Sequence, residues 1–337
     1  MIAITGGGTG GHLVIAKAIK EELNLQGIKP IYIGSTAGQD KTWFEGDNGF
    51  SHTYFLQSQG VVNKKGLQKL FSFVQIIKAA FTCRALFKQH AITTVFSVGG
   101  YSAAPASFAA LLTYKPLYIH EQNAVTGKLN TLLRPFSKAF FSSYDAQATW
   151  TPYPVNEAFF EKRRVRQELK TLIFLGGSQG ATFINALAKQ IAKALDEKGI
   201  RIIHQTGTKE YESVKAFYAA EGISADVFAF SNDMPSKLSQ ADCAISRSGA
   251  STLWELCANG LPSIFIPFPH AAANHQYFNA KALAEKHLAF IQEQHSLNSD
   301  ALLNHLWHMD IKTMSQEIAK TTKRGGAKEI VSYLLNP

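Results

Sequence analysis

Short apolar runs bounded by glycine alternate along this chain with longer stretches in which apolar residues recur every three or four positions. In the first half, residues 2–5, 30–34, 94–98, 117–120 and 139–142 read as strands, since a brief Ile-, Val- and Phe-rich run between turn residues marks a strand buried on both faces. Helical periodicity covers 13–26, 66–89, 102–112 and 127–133. The second half resumes with strands at 171–175, 201–205, 227–230, 243–246 and 263–266, and helices at 182–198, 210–221 and 251–259. This alternation predicts an α/β protein with two doubly wound parallel sheets. Thr151-Pro-Tyr-Pro154 interrupts it and reads as a linker, dividing the chain into 1–153 and a second domain from 154.

Composition narrows the class. With 337 residues, 46% hydrophobic and 18% charged, the chain is folded and long enough for two cores. A net charge of +9 asks for an anionic partner: nucleic acid, anionic lipid or a phosphorylated substrate. The three cysteines, Cys83, Cys243 and Cys257, lack metal-type spacing and suit a reducing compartment. The sequence opens directly on a strand, without the basic and apolar regions of a secretory signal. Its longest apolar stretch, near 103–112, is about half of what a membrane span needs.

Two glycine-rich turns each follow a strand and open a helix: Gly6-Gly-Gly8-Thr-Gly10-Gly11-His12 and Gly176-Gly177-Ser178-Gln-Gly180-Ala181. Such turns let backbone amides approach an anion at a helix start. Gly6, Gly8 and Gly11 match the dinucleotide spacing, but the second strand ends Ile33-Gly-Ser-Thr36 with no acid until Asp40, which weighs against a dehydrogenase. His12, at the mouth of the first turn, reads equally as a general base or as a satisfied structural histidine. The second turn is also a literal G-x-S-x-G, for which Asp242 and His270 could complete a hydrolase triad; the same residues serve a phosphate-cradling turn.

The most informative stretch is Ala244-Ile-Ser-Arg247-Ser-Gly-Ala250-Ser-Thr-Leu-Trp-Glu255. A strand ends, small residues turn the chain, and a helix begins whose amides can hold a diphosphate. Glu255, one turn inside, can accept two ribose hydroxyls; the plainer alternative is that Ser251 caps and Glu255 meets the helix dipole. Pro267-Phe-Pro269 and Asn274-His-Gln276 favour the binding reading. His120-Glu-Gln-Asn123 places polar groups at a strand's carboxyl end, where ligands bind, and lacks the second histidine of a zinc site. No Asp-x-Asp pair occurs, so a departing diphosphate would be stabilised by helix N-termini and cations.

In order and spacing, Gly6–His12, Ser97–Ala103, His120–Asn123, Gly176–Ala181 and Ser246–Glu255 resemble the MurG family, the UDP-N-acetylglucosamine transferases that complete lipid II in bacterial peptidoglycan synthesis. The resemblance spans nearly the whole chain. It implies a GT-B fold: two Rossmann-like domains facing a cleft, with 154–317 as the donor domain and a helix of about 318–337 returning to the first. It implies an inverting, metal-independent transfer of GlcNAc from UDP-GlcNAc to the C4 hydroxyl of MurNAc in lipid I, with no cofactor and no nucleic-acid partner. By motif position, His12 assists proton removal or acceptor positioning, and Thr9, Gly10 and Gly11 line the donor sugar side of the UDP-GlcNAc site, with Asn123 nearby. Ser178 touches the diphosphate; Ala250, Ser251, Thr252, Leu253, Trp254 and Glu255 hold diphosphate and ribose. Phe230 and Ser231 meet the uracil and Gln276 the donor sugar. Two departures stand out: Leu13-Val-Ile-Ala16 lacks the family's usual proline, and Pro154-Val-Asn156 replaces Pro-Val-Arg, removing a cation that Arg247 or Ser178 would have to replace.

A lipid-linked acceptor also implies peripheral contact with the cytoplasmic face of the inner membrane. Residues 64–88 carry Leu67, Leu70, Phe71, Val74, Ile77 and Phe81 at helical spacing, among Lys64, Lys65, Lys69, Lys78, Arg84 and Lys88. Phe73 and Ile76 widen the apolar surface beyond one core-facing stripe. The stripe reads either as an interfacial anchor or as packing against the first sheet. Two other function classes remain open from residues alone: a nucleotide-binding module without chemistry, and the serine hydrolase.

Overall fold

The computed structural model describes residues 1–58, 60, 66–177 and 180–336, excepting the side chains at 66, 67, 69 and 70. The chain forms two compact units: Met1–Val155 with Gly325–Pro337, and Asn156–Arg324.

The first unit holds seven parallel strands: β1 (Ile2–Thr5), β2 (Ile31–Ser35), β3 (His52–Leu56), β4 (Thr94–Ser97), β5 (Leu117–Glu121), β6 (Ala139–Ser142) and β7 (Thr149–Trp150). Their order is β3-β2-β1-β4-β5-β6-β7, with Thr5 beside Ser97 in the β1/β4 register. The chain therefore reverses its direction of travel between β1 and β4, and the crevice outside their carboxyl ends is where such sheets bind ligands. The second unit repeats this with β8 (Thr171–Leu175), β9 (Arg201–Gln205), β10 (Ala225–Phe228), β11 (Cys243–Ser246), β12 (Ser263–Phe265) and β13 (Phe290–Ile291). Here the order is β10-β9-β8-β11-β12-β13, and the switch lies between β8 and β11.

The central strands are uniformly buried because both faces are covered by helices. Ala3, Ile31, Val95 and Ile119 belong to the first core, and Leu172, Ile202, Ile245 and Ile264 to the second. Strands β3, β7 and β13, at or beside the sheet edges, escaped the periodicity. β3 is half-exposed and mixes His52 and Thr53 into its run, while β7 and β13 have two residues each, too short for any pattern. Residues 151–155 are irregular, as the two prolines dictate, yet all are buried, with Tyr153 packed edge-on against His120. The Gly326–Leu335 helix packs on the Gly10–Leu25 helix and sets Tyr333 against Phe141, both within the first unit.

Among the described residues no helix is long and apolar enough to cross a membrane. The Gly66–Gln89 helix has the expected bounds, but its buried face is Ser72, Ile76, Ala79, Ala80, Cys83, Leu86 and Phe87. Phe71, Phe73, Val74, Ile77 and Phe81 point outward, with Phe71 65% and Phe81 58% exposed. The described part of the stripe, Phe71, Val74, Ile77 and Phe81, therefore faces outward, and Ile76, read as part of the outer apolar surface, is buried. Lys78, Arg84 and Lys88 are exposed on the same helix. Lys64 and Lys65, and the side chains of Leu67, Lys69 and Leu70, lie outside the described residues.

Candidate active site

In the first unit, the turn after β1 is folded against the turn after β4. Gly7 N–H donates to Gly99 O at 3.1 Å. A Cβ on Gly6 would meet Gly99 O at 2.4 Å, one on Gly7 would meet Asp40 Oδ1 at 1.8 Å, and one on Gly8 would meet the Tyr101 ring at 2.5 Å. These glycines are thus required by the protein's own packing. Gly8 N–H donates to Asp40 Oδ1 at 2.8 Å, and Tyr32 OH reaches Asp40 Oδ1 at 2.9 Å and Gly6 O at 2.8 Å. Burial raises the Asp40 carboxyl above its usual range, opposed by those hydrogen bonds. Asp40, the first acid after β2, is thus committed to the glycine turn itself.

The turn then delivers Thr9 as N-cap of the Gly10–Leu25 helix, with no side-chain capping bond. Instead Thr9 Oγ1 lies 3.0 Å from His12 Nδ1. The tautomer in which Nδ1–H donates to Thr9 puts the basic lone pair on Nε2. A Cβ added to Gly99 would lie 3.5 Å from the His12 ring and 3.0 Å from Asn130 Nδ2, and one on Gly11 would lie 2.9 Å from Gln122 Oε1. Glu121, buried at the end of β5, accepts Asn123 N–H at 3.0 Å, Gly127 N–H at 2.9 Å and Asn130 Nδ2 at 2.9 Å. It is a structural acid that shapes the loop carrying Asn123. His120 is fully buried, and burial, then the nearby His12, pushes its pKa down to about 3. The structure therefore gathers Thr9, Gly10, Gly11, His12 and the Asn123 loop at the carboxyl ends of β1, β4 and β5.

The second unit supplies a different surface. Gly177 and Gly180 adopt φ of +78° and +75°, and a Cβ on Gly180 would strike Thr206 O at 2.4 Å. Ser178 lies outside the described residues. After β11, Gly249 is the N-cap of the Ala250–Asn259 helix and offers no side chain to the first-turn amides. Ala250, Ser251, Leu253 and Trp254 are buried, and Thr252 is half-buried. Glu255 is half-buried with no hydrogen-bond partner among the described residues, and burial pushes its carboxyl up to about 7. A half-buried carboxylate without protein donors leaves both oxygens open to a ligand that can donate to them. Phe230 is exposed, and Ser231 Oγ accepts Asp233 N–H at 3.0 Å in the loop after β10. Gln276 Oε1 accepts Phe268 N–H at 2.9 Å, fixing the loop after β12. All of these stand at the carboxyl edge of the second sheet.

Arg247 is pinned there: it donates to Ile266 O at 2.9 Å, Pro267 O at 3.0 Å and Gln294 Oε1 at 2.9 Å, and faces the Phe183 and Phe268 rings. Burial lowers its pKa to about 10, so it stays charged; among the described residues it has no carboxylate partner, and it lies beside the first turn of the Thr182–Glu197 helix. Asn156, where the usual arginine is missing, caps the Glu157–Glu161 helix by accepting Ala158 N–H at 2.9 Å. Asp242 accepts Lys170 and Thr171 N–H at the amino end of β8. A five-residue strand, about 16 Å, separates it from the turn carrying Ser178, so the triad reading fails. Residues 2–142 match the glycosyltransferase family 28 N-terminal domain and residues 171–333 the family's C-terminal domain.

The chain belongs to glycosyltransferase family 28, and it is an enzyme of that class with the GT-B fold. It is 53% identical over 335 residues, 99% of each chain, to the UDP-N-acetylglucosamine–N-acetylmuramyl-(pentapeptide) pyrophosphoryl-undecaprenol N-acetylglucosamine transferase of Campylobacter fetus subsp. fetus. The enzyme of the same name from Sulfurimonas denitrificans is 49% identical over 331 residues, covering 98% of this chain and 97% of that one. The crystal structure of Acinetobacter baumannii MurG superposes with a TM-score of 0.81 at 27% identity, over 100% of this chain and 99% of that chain. The Streptomyces nogalater glycosyltransferase SnogD shares the fold at 12% identity, with a TM-score of 0.69 over 98% of both chains.

Proposed function

We propose that this enzyme transfers GlcNAc from UDP-GlcNAc to the C4 hydroxyl of MurNAc in lipid I, with inversion and without a metal, giving lipid II. The observation that carries the proposal is Glu255: a half-buried carboxylate lacking donors, one turn inside a helix whose N-cap is glycine. That is a socket for a ribose diol beside a diphosphate. The relatives of the same length and the order of the five motifs support the substrate assignment.

In this reading the second unit holds the donor. The amides at Ala250–Thr252 and the turn at 176–181, including Ser178, receive the diphosphate. Arg247 adds positive potential, Phe230 and Ser231 flank the uracil, and Gln276 meets the sugar. The first unit serves the acceptor: His12 Nε2 takes the proton from the C4 hydroxyl while Thr9 holds Nδ1. The C4 oxygen bonds to the GlcNAc anomeric carbon, the bond from that carbon to the diphosphate oxygen breaks, and UDP leaves with the electron pair. The developing negative charge falls on helix amides and Arg247, which do the work a bridging metal does elsewhere. In this reading the lipid-linked acceptor is reached by a peripheral enzyme on the cytoplasmic leaflet; the exposed Phe71, Phe73, Val74, Ile77 and Phe81 with Lys78, Arg84 and Lys88 support it.

The test is GlcNAc transfer from UDP-GlcNAc to a lipid I analogue, with and without EDTA. Equal turnover in both is expected. No transfer by folded protein overturns the proposal, and turnover lost only with EDTA overturns the metal-independent part.

A further inference from the structure

A second cationic pocket lies within the second unit, at the far end of the helix whose start carries the donor residues. It has a volume of about 520 Å³ and is lined by Phe160, Arg163, Lys320, Thr322, Lys323 and Arg324, with Ala319. Arg163 Nε donates to Ala258 O at 2.7 Å, at the C-terminal end of the Ala250–Asn259 helix. Ten helical residues, about 15 Å, therefore separate the pocket from Ala250.

We propose that this pocket binds a phosphate-bearing small molecule, gripped by Arg163, Lys323, Arg324 and the Thr322 hydroxyl. Four cations line it against two neighbouring carboxylates: Glu317 pairs with Lys320 at 2.5 Å and Glu157 with Arg324 at 3.6 Å. Neither Arg163 nor Lys323 forms an ion pair among the described residues. The guanidinium groups of Arg163 and Arg324 face one Phe160 ring, at 5.1 and 5.7 Å, so two like charges are held close together. Two polar atoms here are buried without partners, Arg163 Nη2 and Thr322 Oγ1, and Thr322 is only 5% exposed. Such orphans are costly unless a ligand satisfies them. A phosphate group offers several acceptor oxygens, matches guanidinium forks and takes a hydroxyl donor, and the volume leaves room for a second phosphate or a small organic moiety.

The test is binding of inorganic pyrophosphate to the full chain by calorimetry and thermal shift, at constant ionic strength and with saturating UDP to occupy the donor site. A separate UDP titration reads the donor site, so the two assignments fail independently. Wild type is expected to bind pyrophosphate under UDP saturation. The Lys323→Glu, Arg324→Glu double variant should lose at least tenfold in affinity, and Thr322→Val, which removes only the hydroxyl, several-fold. No binding by wild type, or equal binding by the charge-reversed protein, overturns the proposal. Retention on phosphatidylglycerol vesicles that the charge reversal abolishes, without soluble pyrophosphate binding, assigns the phosphate to a lipid headgroup and overturns the small-molecule site.

Discussion

Asp40 Oδ1 accepts the Gly8 amide at 2.8 Å, across 32 residues of sequence. That bond fills the first glycine turn from within and settles where the Thr9–His12 segment begins. Asp40→Ala leaves Gly8 N–H unpaired, at a cost of about 1–3 kcal/mol, while Tyr32 OH keeps Gly6 O at 2.8 Å. The expected outcome is a lower Tm and a fall in kcat larger than the loss of UDP-GlcNAc affinity, because the proposed diphosphate and ribose contacts lie in the other unit. Formate, which restores the missing carboxylate, should recover part of the turnover. Unchanged kcat in the folded variant would refute the positioning role.

If Glu255 holds the ribose as proposed, donor binding should depend on pH. Its carboxyl is neutral below about 7 in the unliganded protein, and ribose hydroxyls bind best to the ionised form. Affinity for UDP-GlcNAc should therefore rise from pH 6 to 8, whereas Glu255→Gln should give a flat profile. Glu255→Ala should weaken the donor by ~1.5–3 kcal/mol, roughly 10- to 150-fold. Calorimetry reads both.

The same residue has a stability consequence of opposite direction. Its folded pKa, about 7, lies above its ordinary value of 4.5. Between those values the native state binds more protons than the unfolded chain, so stability falls as pH rises through the window. Glu255→Gln cannot ionise. Its Tm should match wild type near pH 4.5 and exceed it by pH 8, a difference that thermal melts without ligand would detect.

His12 and Thr9 should act on turnover more than on donor affinity. His12→Ala removes the proposed base and should lower kcat by 10²-fold or more. Thr9→Val keeps the shape but loses the bond to Nδ1, for which about 3- to 10-fold is expected, in line with a bond of ~0.5–1.5 kcal/mol. Steady-state kinetics with a soluble lipid I analogue separates kcat from KM. A kcat within twofold of wild type for His12→Ala makes the histidine structural.

The outward face of the Gly66–Gln89 helix should matter only where a bilayer is present. Phe71→Ser with Phe81→Ser exposes no core, since both rings already face solvent. Partition onto phosphatidylglycerol vesicles is expected to fall at least tenfold, for two rings contributing ~1–2 kcal/mol each. Activity on a short-chain acceptor should be retained. Co-sedimentation is the check, and undiminished vesicle binding would reassign the face.

Much of the architecture was legible from pattern alone. β1, β6, β8 and β11 have the read bounds because a strand buried on both faces leaves a short, mostly apolar run, which is a local signal. The short helical turn with Gly249 and Glu255 was legible for the same reason, as all its information lies within ten residues. Edge strand β3 was not, since an edge tolerates His52 and Thr53. The outer face of the 66–89 helix was only half legible: both of its faces are rich in apolar residues, and Ile76 and Ile77 differ only in which one is buried.

The amino-acid sequence by itself determined the two parallel-sheet domains, the glycine turns and the family, because these depend on short-range periodicity and spacing. Tertiary structure alone decided what each polar group near the turns is for. Asp40 is bound to Gly8, Glu121 organises its own loop, Asp242 sits at the wrong end of its strand, and Arg247 is clamped by carbonyls. Glu255 has no donor among the described residues. Whether a carboxylate is satisfied depends on atoms tens of residues away in sequence, and only the folded chain brings those atoms together.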